Sequence, residues 1–193
     1  LFVGAEVMPF AATGGLGDVM GSLPAAIKAR EKNNVDVRVI LPLYAAVNDT
    51  WRAQMKDEIV FHFNLAWRYA YCGVKSLVKD GVTYYFIDNE YYFKRGALYG
   101  FFDDGERYAY FCKAVIDAMA HIGFYPDILH ANDWQSAMAV VYLNTKYRNI
   151  EGYANTKTVF TIHNIEYQGK YDPIILGDVF GLGVEHLSLM RYD

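Results

Sequence analysis

Three short stretches of this sequence carry residues able to do chemistry. Residues 10–24 read FAATGGLGDVMGSLP, so that Thr13, Gly14, Gly15 and Gly17 run straight into a segment of helical spacing. Glycines let ligand oxygens approach the backbone, and the N–H groups that open a helix have no partner inside it, so a loop of this kind suits an anion. The same glycines also fit a tight turn that needs positive φ. The second stretch is His130-Ala131-Asn132-Asp133 and the third is His163-Asn164, with Gln168 close behind. His163 is compatible with a base, a ligand or a buried imidazole whose bonds are satisfied. His130 lies within an apolar run and reads as structural, and Asp133 before Trp134 reads equally as a helix N-cap.

The spacings also exclude chemistries. No Gly-Lys-Ser/Thr is present, which removes a P-loop. Gly15-x-Gly17-x-x-x-Gly21 is one residue too long for a dinucleotide fingerprint, and no acidic residue closes the second strand where a ribose would need it. No second Cys or His sits at zinc spacing, no pair among His130, Asp133 and His163 has metal-binding spacing, and no Ser or Cys sits in a nucleophile elbow.

The elements that must position these residues alternate. LFVGAE, ending at Glu6, and VDVRVILP read as buried strands feeding loops. Between them Leu16, Val19, Met20, Leu23 and Ile27 mark one face of a helix, with Pro24 tolerable in the first turns or at a kink. IVFHFNLAW alternates, with Ile59, Phe61, Phe63, Leu65 and Trp67 on one side, and the KDGV before TYYFID supplies a hairpin turn. Asp103 and Glu106 form a capping-box pattern for a helix that ends at Gly123. PDILHAND and KTVFTIHN flank the helical WQSAMAVVYLNTKYR, which is βαβ grammar. The fold class is therefore α/β, a Rossmann-like parallel sheet with an antiparallel hairpin insert. Ligands in such sheets bind at the carboxyl ends of strands, where all three polar stretches fall. Spacing alone thus supports a small-molecule cleft with an anion cradle.

Composition sets the remaining limits. The 193 residues are 53% hydrophobic and 21% charged, enough for one compact core or for part of a larger enzyme. A net charge of -4, with no run of basic residues, offers no footprint for nucleic acid or an anionic membrane. Two cysteines, Cys72 and Cys112, suggest no disulfide framework and a reducing compartment. The chain starts without Met inside a strand, so a removed leader is compatible with it, and the stretch from Ile174 to Asp193 reaches no recognisable domain end, as expected of a piece of a longer protein. The aromatic-rich VTYYFIDNEYYFKRGALYGFF suits sheet packing first and sugar stacking second.

Taken together, AEVMPFAATGGLGDVMGSLP, DNEYYFKRGALYGFFDDGERYAYFCKA, HANDWQSA and TIHNIEYQG, in this order, resemble the N-terminal domain of bacterial glycogen synthases and plant starch synthases. The resemblance implies a GT-B fold of two Rossmann-like domains, with residues 1–193 the N-terminal, acceptor-side domain and the C-terminal nucleotide-sugar-binding domain absent from this chain. It implies retaining transfer of glucose from ADP-glucose, a substrate and not a cofactor, to the non-reducing end of an α-1,4-glucan, without a metal. Partners would be the nucleotide sugar, the glucan and the chain's own C-terminal domain, and the setting the cytoplasm, or the plastid stroma in a plant. Residues 1–193 alone are expected to be inactive. By the same resemblance, Asp133 and His163 are catalytic. Ala12, Thr13, Gly14, Gly15, Asn164 and Gln168 meet the donor, while Glu6, Asp18 and Tyr99 lie on the acceptor side. One departure stands out: the family's lysine before Thr-Gly-Gly is here Ala12. It keeps open a degenerate glucan-binding paralogue, beside a transferase for another nucleotide sugar.

Overall fold

The computed structural model describes residues 1–189, so the last four residues of the stretch from Ile174 lie outside the described residues. A seven-stranded sheet organises the chain in the order β3-β4-β5-β2-β1-β6-β7. The strands are β1 (Phe2–Val3), β2 (Arg38–Pro42), β3 (Lys56–Leu65), β4 (Arg68–Lys79), β5 (Val82–Asp88), β6 (Ile128–Asn132) and β7 (Lys157–Thr161). From β5 through β2, β1 and β6 to β7 every pairing is parallel, whereas β3, β4 and β5 pair antiparallel. The α/β reading holds, and the antiparallel part consists of two successive hairpins that extend one side of the sheet.

Helices are packed between and around these strands: α1 (Gly15–Glu31), α2 (Asp49–Arg52), α3 (Glu90–Phe93), α4 (Asp104–His121), α5 (Trp134–Tyr142) and α6 (Ile175–Asp178), with α5 running on into a wider helical turn over Leu143–Tyr147. Helix α4 is buried along most of its length and stacks Tyr110 against Phe63 and Tyr92. Near β5, Phe10 meets Tyr84, Phe86 and Trp51 edge-on. None of the helices in the described residues is long and apolar enough to cross a membrane. Cys72 and Cys112 are free and buried, and burial pushes both thiols up to about 12, so neither is a reactive thiolate.

Three local expectations change. The alternating face of β3 is kept only at Phe61, Phe63 and Leu65. Ile59 falls out because the β3–β4 register shifts beside it, and Trp67 belongs to a turn, where its indole N–H donates to Asp178 Oδ1 at 3.0 Å. The capping box of α4 does not form: Asp103 pairs with Arg95 at 2.9 Å, while Glu106 pairs with Arg68 at 3.0 Å and accepts from the Tyr92 hydroxyl. Distant cations and a phenol outcompete the local backbone for both carboxylates. Helix α1 buries Leu16, Met20 and Pro24, but Leu23 is exposed.

Gly17 and Gly21 let α1 lie on the segment that precedes it. A Cβ at Gly17 would come 2.2 Å from Ala12 Cβ, and one at Gly21 would come 2.6 Å from the Met8 carbonyl oxygen. Backbone cannot yield as a flexible side chain does. Gly21→Ala should therefore lower stability by about 1–3 kcal/mol, as overpacking does, read as a fall of several degrees in the thermal midpoint of the full-length protein. An unchanged midpoint would show that α1 can shift off the segment freely.

Candidate active site

Strands β1, β6 and β7 lie side by side and parallel, so the residues that follow them emerge at one edge of the sheet. Glu6, after β1, is 3% exposed beneath the glycine loop. Its Oε2 accepts the N–H of Thr13 at 2.6 Å and of Gly14 at 3.0 Å, and its Oε1 accepts the Thr13 and Tyr99 hydroxyls, each at 3.0 Å. The two hydroxyls also lie within bonding distance of each other, and with one proton apiece one of them shares its proton between Glu6 and its neighbour. Glu6 and Tyr99, expected on the acceptor side, and Thr13, expected at the donor, thus form one network. The loop amides expected to be free for an anion are partly taken, because a buried carboxylate already answers those of Thr13 and Gly14.

What remains open is the start of α1 itself. Gly14 caps the helix with extended backbone and no side-chain bond, so the amides of Gly15 and Leu16 have no acceptor within the helix. Neither Gly14 nor Gly15 has positive φ, and a Cβ on either would meet nothing within 4 Å. Turn geometry and packing, the two structural reasons for glycine, are both missing here. Unobstructed approach to the backbone is the reason left. Asp18 sits exposed on the same first turn, its side chain without a hydrogen bond among the described residues, and is not part of the Glu6 network.

Asp133 follows β6 with φ 58° and ψ 173°, a conformation that non-glycine residues avoid. Its amide donates to the Thr161 carbonyl, and its own carbonyl accepts from the Ser136 amide and hydroxyl, so both neighbouring elements pin it. The carboxylate does not cap α5. It reaches across to β7's end, where Oδ1 accepts the N–H of His163 at 2.6 Å and of Asn164 at 3.4 Å. The N-cap reading of Asp133 is thereby replaced: the strained backbone aims the carboxylate at the third polar stretch.

His163 is exposed, with Nε2 3.0 Å from Asn132 Oδ1. Asn132 Nδ2 donates to the carbonyls of His130 and Val3, which leaves its Oδ1 as acceptor. Nε2 of His163 therefore carries a proton, and in the neutral ring Nδ1 is the free acceptor. Sequence reading placed Asn132 among the polar residues but not as the group that sets this tautomer. His130 is structural, as expected: its Nε2 lies 2.7 Å from Thr161 Oγ1, its ring packs 5.0 Å from Phe2, and burial lowers its pKa. The exposed Asn164 accepts the Glu166 amide through Oδ1 within its own turn, and the exposed Gln168 donates to the Ile165 carbonyl. The assembled edge thus offers open helix amides, a carboxylate-held turn and an oriented imidazole, which suits a ligand carrying both anionic oxygens and hydroxyls.

The comparisons with known proteins agree in kind. A glycogen synthase of Streptococcus mutans serotype c is 53% identical over 185 residues, covering 96% of this chain and 38% of its own length. One of Streptococcus uberis is 50% identical over the same shares. The chain thus spans about two fifths of the length of these curated relatives. Among solved structures, the catalytic domain of starch synthase IV from Arabidopsis thaliana, bound to ADP and acarbose, matches with a TM-score of 0.83 at 30% identity, covering 96% of this chain and 38% of that one. The family model described as "Starch synthase catalytic domain" matches residues 1–193. With a match over its whole length, the chain belongs to the starch synthase catalytic domain family.

Proposed function

We propose that this chain is the acceptor-side half of a retaining transferase that moves glucose from ADP-glucose to the non-reducing end of an α-1,4-glucan. The observation that carries the reading is that an open helix start follows β1 and the Asp133–His163–Asn132 arrangement follows β6 and β7, at the same end of these adjacent parallel strands. A sugar diphosphate has the matching two ends. In this reading the Gly15 and Leu16 amides face the phosphates, where charge grows as the diphosphate departs, and Ala12, Thr13, Gly14, Asn164 and Gln168 border the donor. Asp133 holds the turn that presents His163 to the hydroxyls of the transferred glucose. Glu6, Tyr99 and Asp18 form the acceptor side, with Glu6 acting from below the loop. A C-terminal domain beyond this chain supplies the cations that grip the diphosphate and closes the cleft in the cytoplasm. Proximity of groups from both halves is required for rate, so residues 1–193 alone elongate no glucan.

The test is a transfer assay on the full-length protein with glycogen as acceptor and ADP-glucose or UDP-glucose as donor. Elongation with ADP-glucose is the expected result. Preference for UDP-glucose would move the donor assignment. Transfer with neither would favour a glucan-binding protein without catalysis, a reading that Ala12 specifically motivates.

Ala12→Lys in the same protein addresses that departure. A charge-assisted hydrogen bond contributes about 1.5–3 kcal/mol, so the variant should raise kcat/KM by several-fold or more, with greater salt sensitivity. Unchanged kinetics in an active enzyme would mean that another cation already fills the place.

A further inference from the structure

Asp104 and Arg107, at the start of α4, are buried and play no part in the site as described above. Oδ1 of Asp104 accepts from Arg107 Nη1 at 2.5 Å. Oδ2 reaches back to accept the N–H of Gly100 at 2.6 Å and of Phe101 at 3.1 Å. Gly100 has φ +97°, which a side chain would oppose, and this lets two successive amides converge on one oxygen. Arg107 is anchored in turn: Nε donates to the Tyr92 carbonyl at 2.7 Å, and the guanidinium lies 4.8 Å from the centre of the Phe101 ring. Its Nη2 has no hydrogen-bond partner among the described residues. A buried ion pair with an unsatisfied donor is a poor device for stability alone. What it holds is the backbone next to Tyr99, whose hydroxyl donates to Glu6 and bonds Thr13.

We propose that Asp104, backed by Arg107, is a positioning residue for glucosyl transfer. It fixes the Tyr99–Gly100–Phe101 turn, so that Tyr99 holds Glu6 and Thr13, and through them the loop at the start of α1. The proposal rests on the function proposed above. Asp104 is the acidic side chain that this turn uses, since the carboxylates of Asp103 and Glu106 go to other partners, and on its far side the Tyr108 hydroxyl donates to the Leu98 carbonyl at 2.8 Å.

A double-mutant cycle on the full-length protein tests it. Asp104→Asn should lower kcat/KM by at least about ten-fold in the native background and by less than about two-fold in Tyr99→Phe, because both changes break one chain of contacts. The fall in thermal midpoint should be similar in both backgrounds, which separates positioning from structural cost. Equal kinetic losses in the two backgrounds would overturn the proposal. Peptide-level hydrogen exchange gives a readout independent of activity. Asp104→Asn should speed exchange in segments 99–102 and 12–15, whereas Tyr99→Phe should speed only 12–15. If Asp104→Asn does not fold, unchanged exchange over 12–15 in Tyr99→Phe overturns the proposal. If the native protein transfers no glucose, the function fails while the exchange experiment still decides the positioning.

Discussion

Glu6→Ala in the full-length enzyme is expected to lower kcat/KM by about 10²–10³-fold while moving the thermal midpoint only slightly. The carboxylate accepts four hydrogen bonds, two from the amides of Thr13 and Gly14 and two from the hydroxyls of Thr13 and Tyr99. Bonds to a charged group contribute about 1.5–3 kcal/mol each when made. Without them the loop loses its common anchor, and a shift of about 1 Å in a positioning group can cost about a hundred-fold in rate. Stability suffers less because Thr13 and Gly14 are exposed, so water can take the amides that the carboxylate leaves. Glu6→Gln keeps the shape and one acceptor but sets a donor against donors, and should fall between. A value of kcat/KM within about three-fold of native for Glu6→Ala, which is under 1 kcal/mol, would mean that the loop holds its geometry unaided.

The second large effect is at Asp133, where backbone strain and side-chain role can be separated. Asp133→Ala removes the acceptor for the His163 and Asn164 amides yet keeps a Cβ at φ 58° and ψ 173°. Turnover should fall by about a hundred-fold or more, and stability by only about 0.5–1.5 kcal/mol, the net contribution of the lost hydrogen bonds, because His163 and Asn164 are exposed and water can take their amides. Asp133→Gly removes the carboxylate as well, but glycine adopts that backbone conformation without the strain of about 1–3 kcal/mol. The glycine variant should thus be about 1 kcal/mol more stable than the alanine variant, after the entropy of its freer unfolded chain is set against the strain. It should be just as slow. Asp133→Asn, which retains an acceptor oxygen, should be the most stable of the three. Measuring kcat beside chemical denaturation checks the order; a near-native kcat for Asp133→Ala would return the residue to a purely structural role.

How much of this was legible follows from the range of the forces involved. The parallel half of the sheet could be read because its strands are short apolar runs between turn residues, buried almost throughout in β2 and β5 although β7 is largely exposed. The Asp80-Gly81 turn could be read because both residues take positive φ, for which the sequence has suitable types. The neighbouring turn at Ala66 and Trp67 could not, because Ala66 takes φ 52° with no glycine or asparagine to signal it. The glycine motif looked like one feature but contains two. Gly14 and Gly15 are open, whereas Gly17 and Gly21 are packing contacts, and only the third dimension separates them. Site residues were found as types at strand ends; their partners were not. That Glu6 would hold Thr13, that Asp133 would reach His163, and that Asp104 would grip Gly100 are contacts chosen by the fold among many carboxylates and amides.

Strand β1 sits between β2 and β6, and its two ladders differ greatly in when they become available. During synthesis β2 follows β1 after a single helix, while β6 emerges only after both hairpins and α4 have been made, several seconds later at about 5–20 residues per second. The seam between β1 and β6 is therefore the late joint of the nascent chain. Glu6 stands on one side of it and Asp133 on the other, so a ribosome-bound intermediate would own a finished glycine loop while the imidazole side of the cleft did not yet exist.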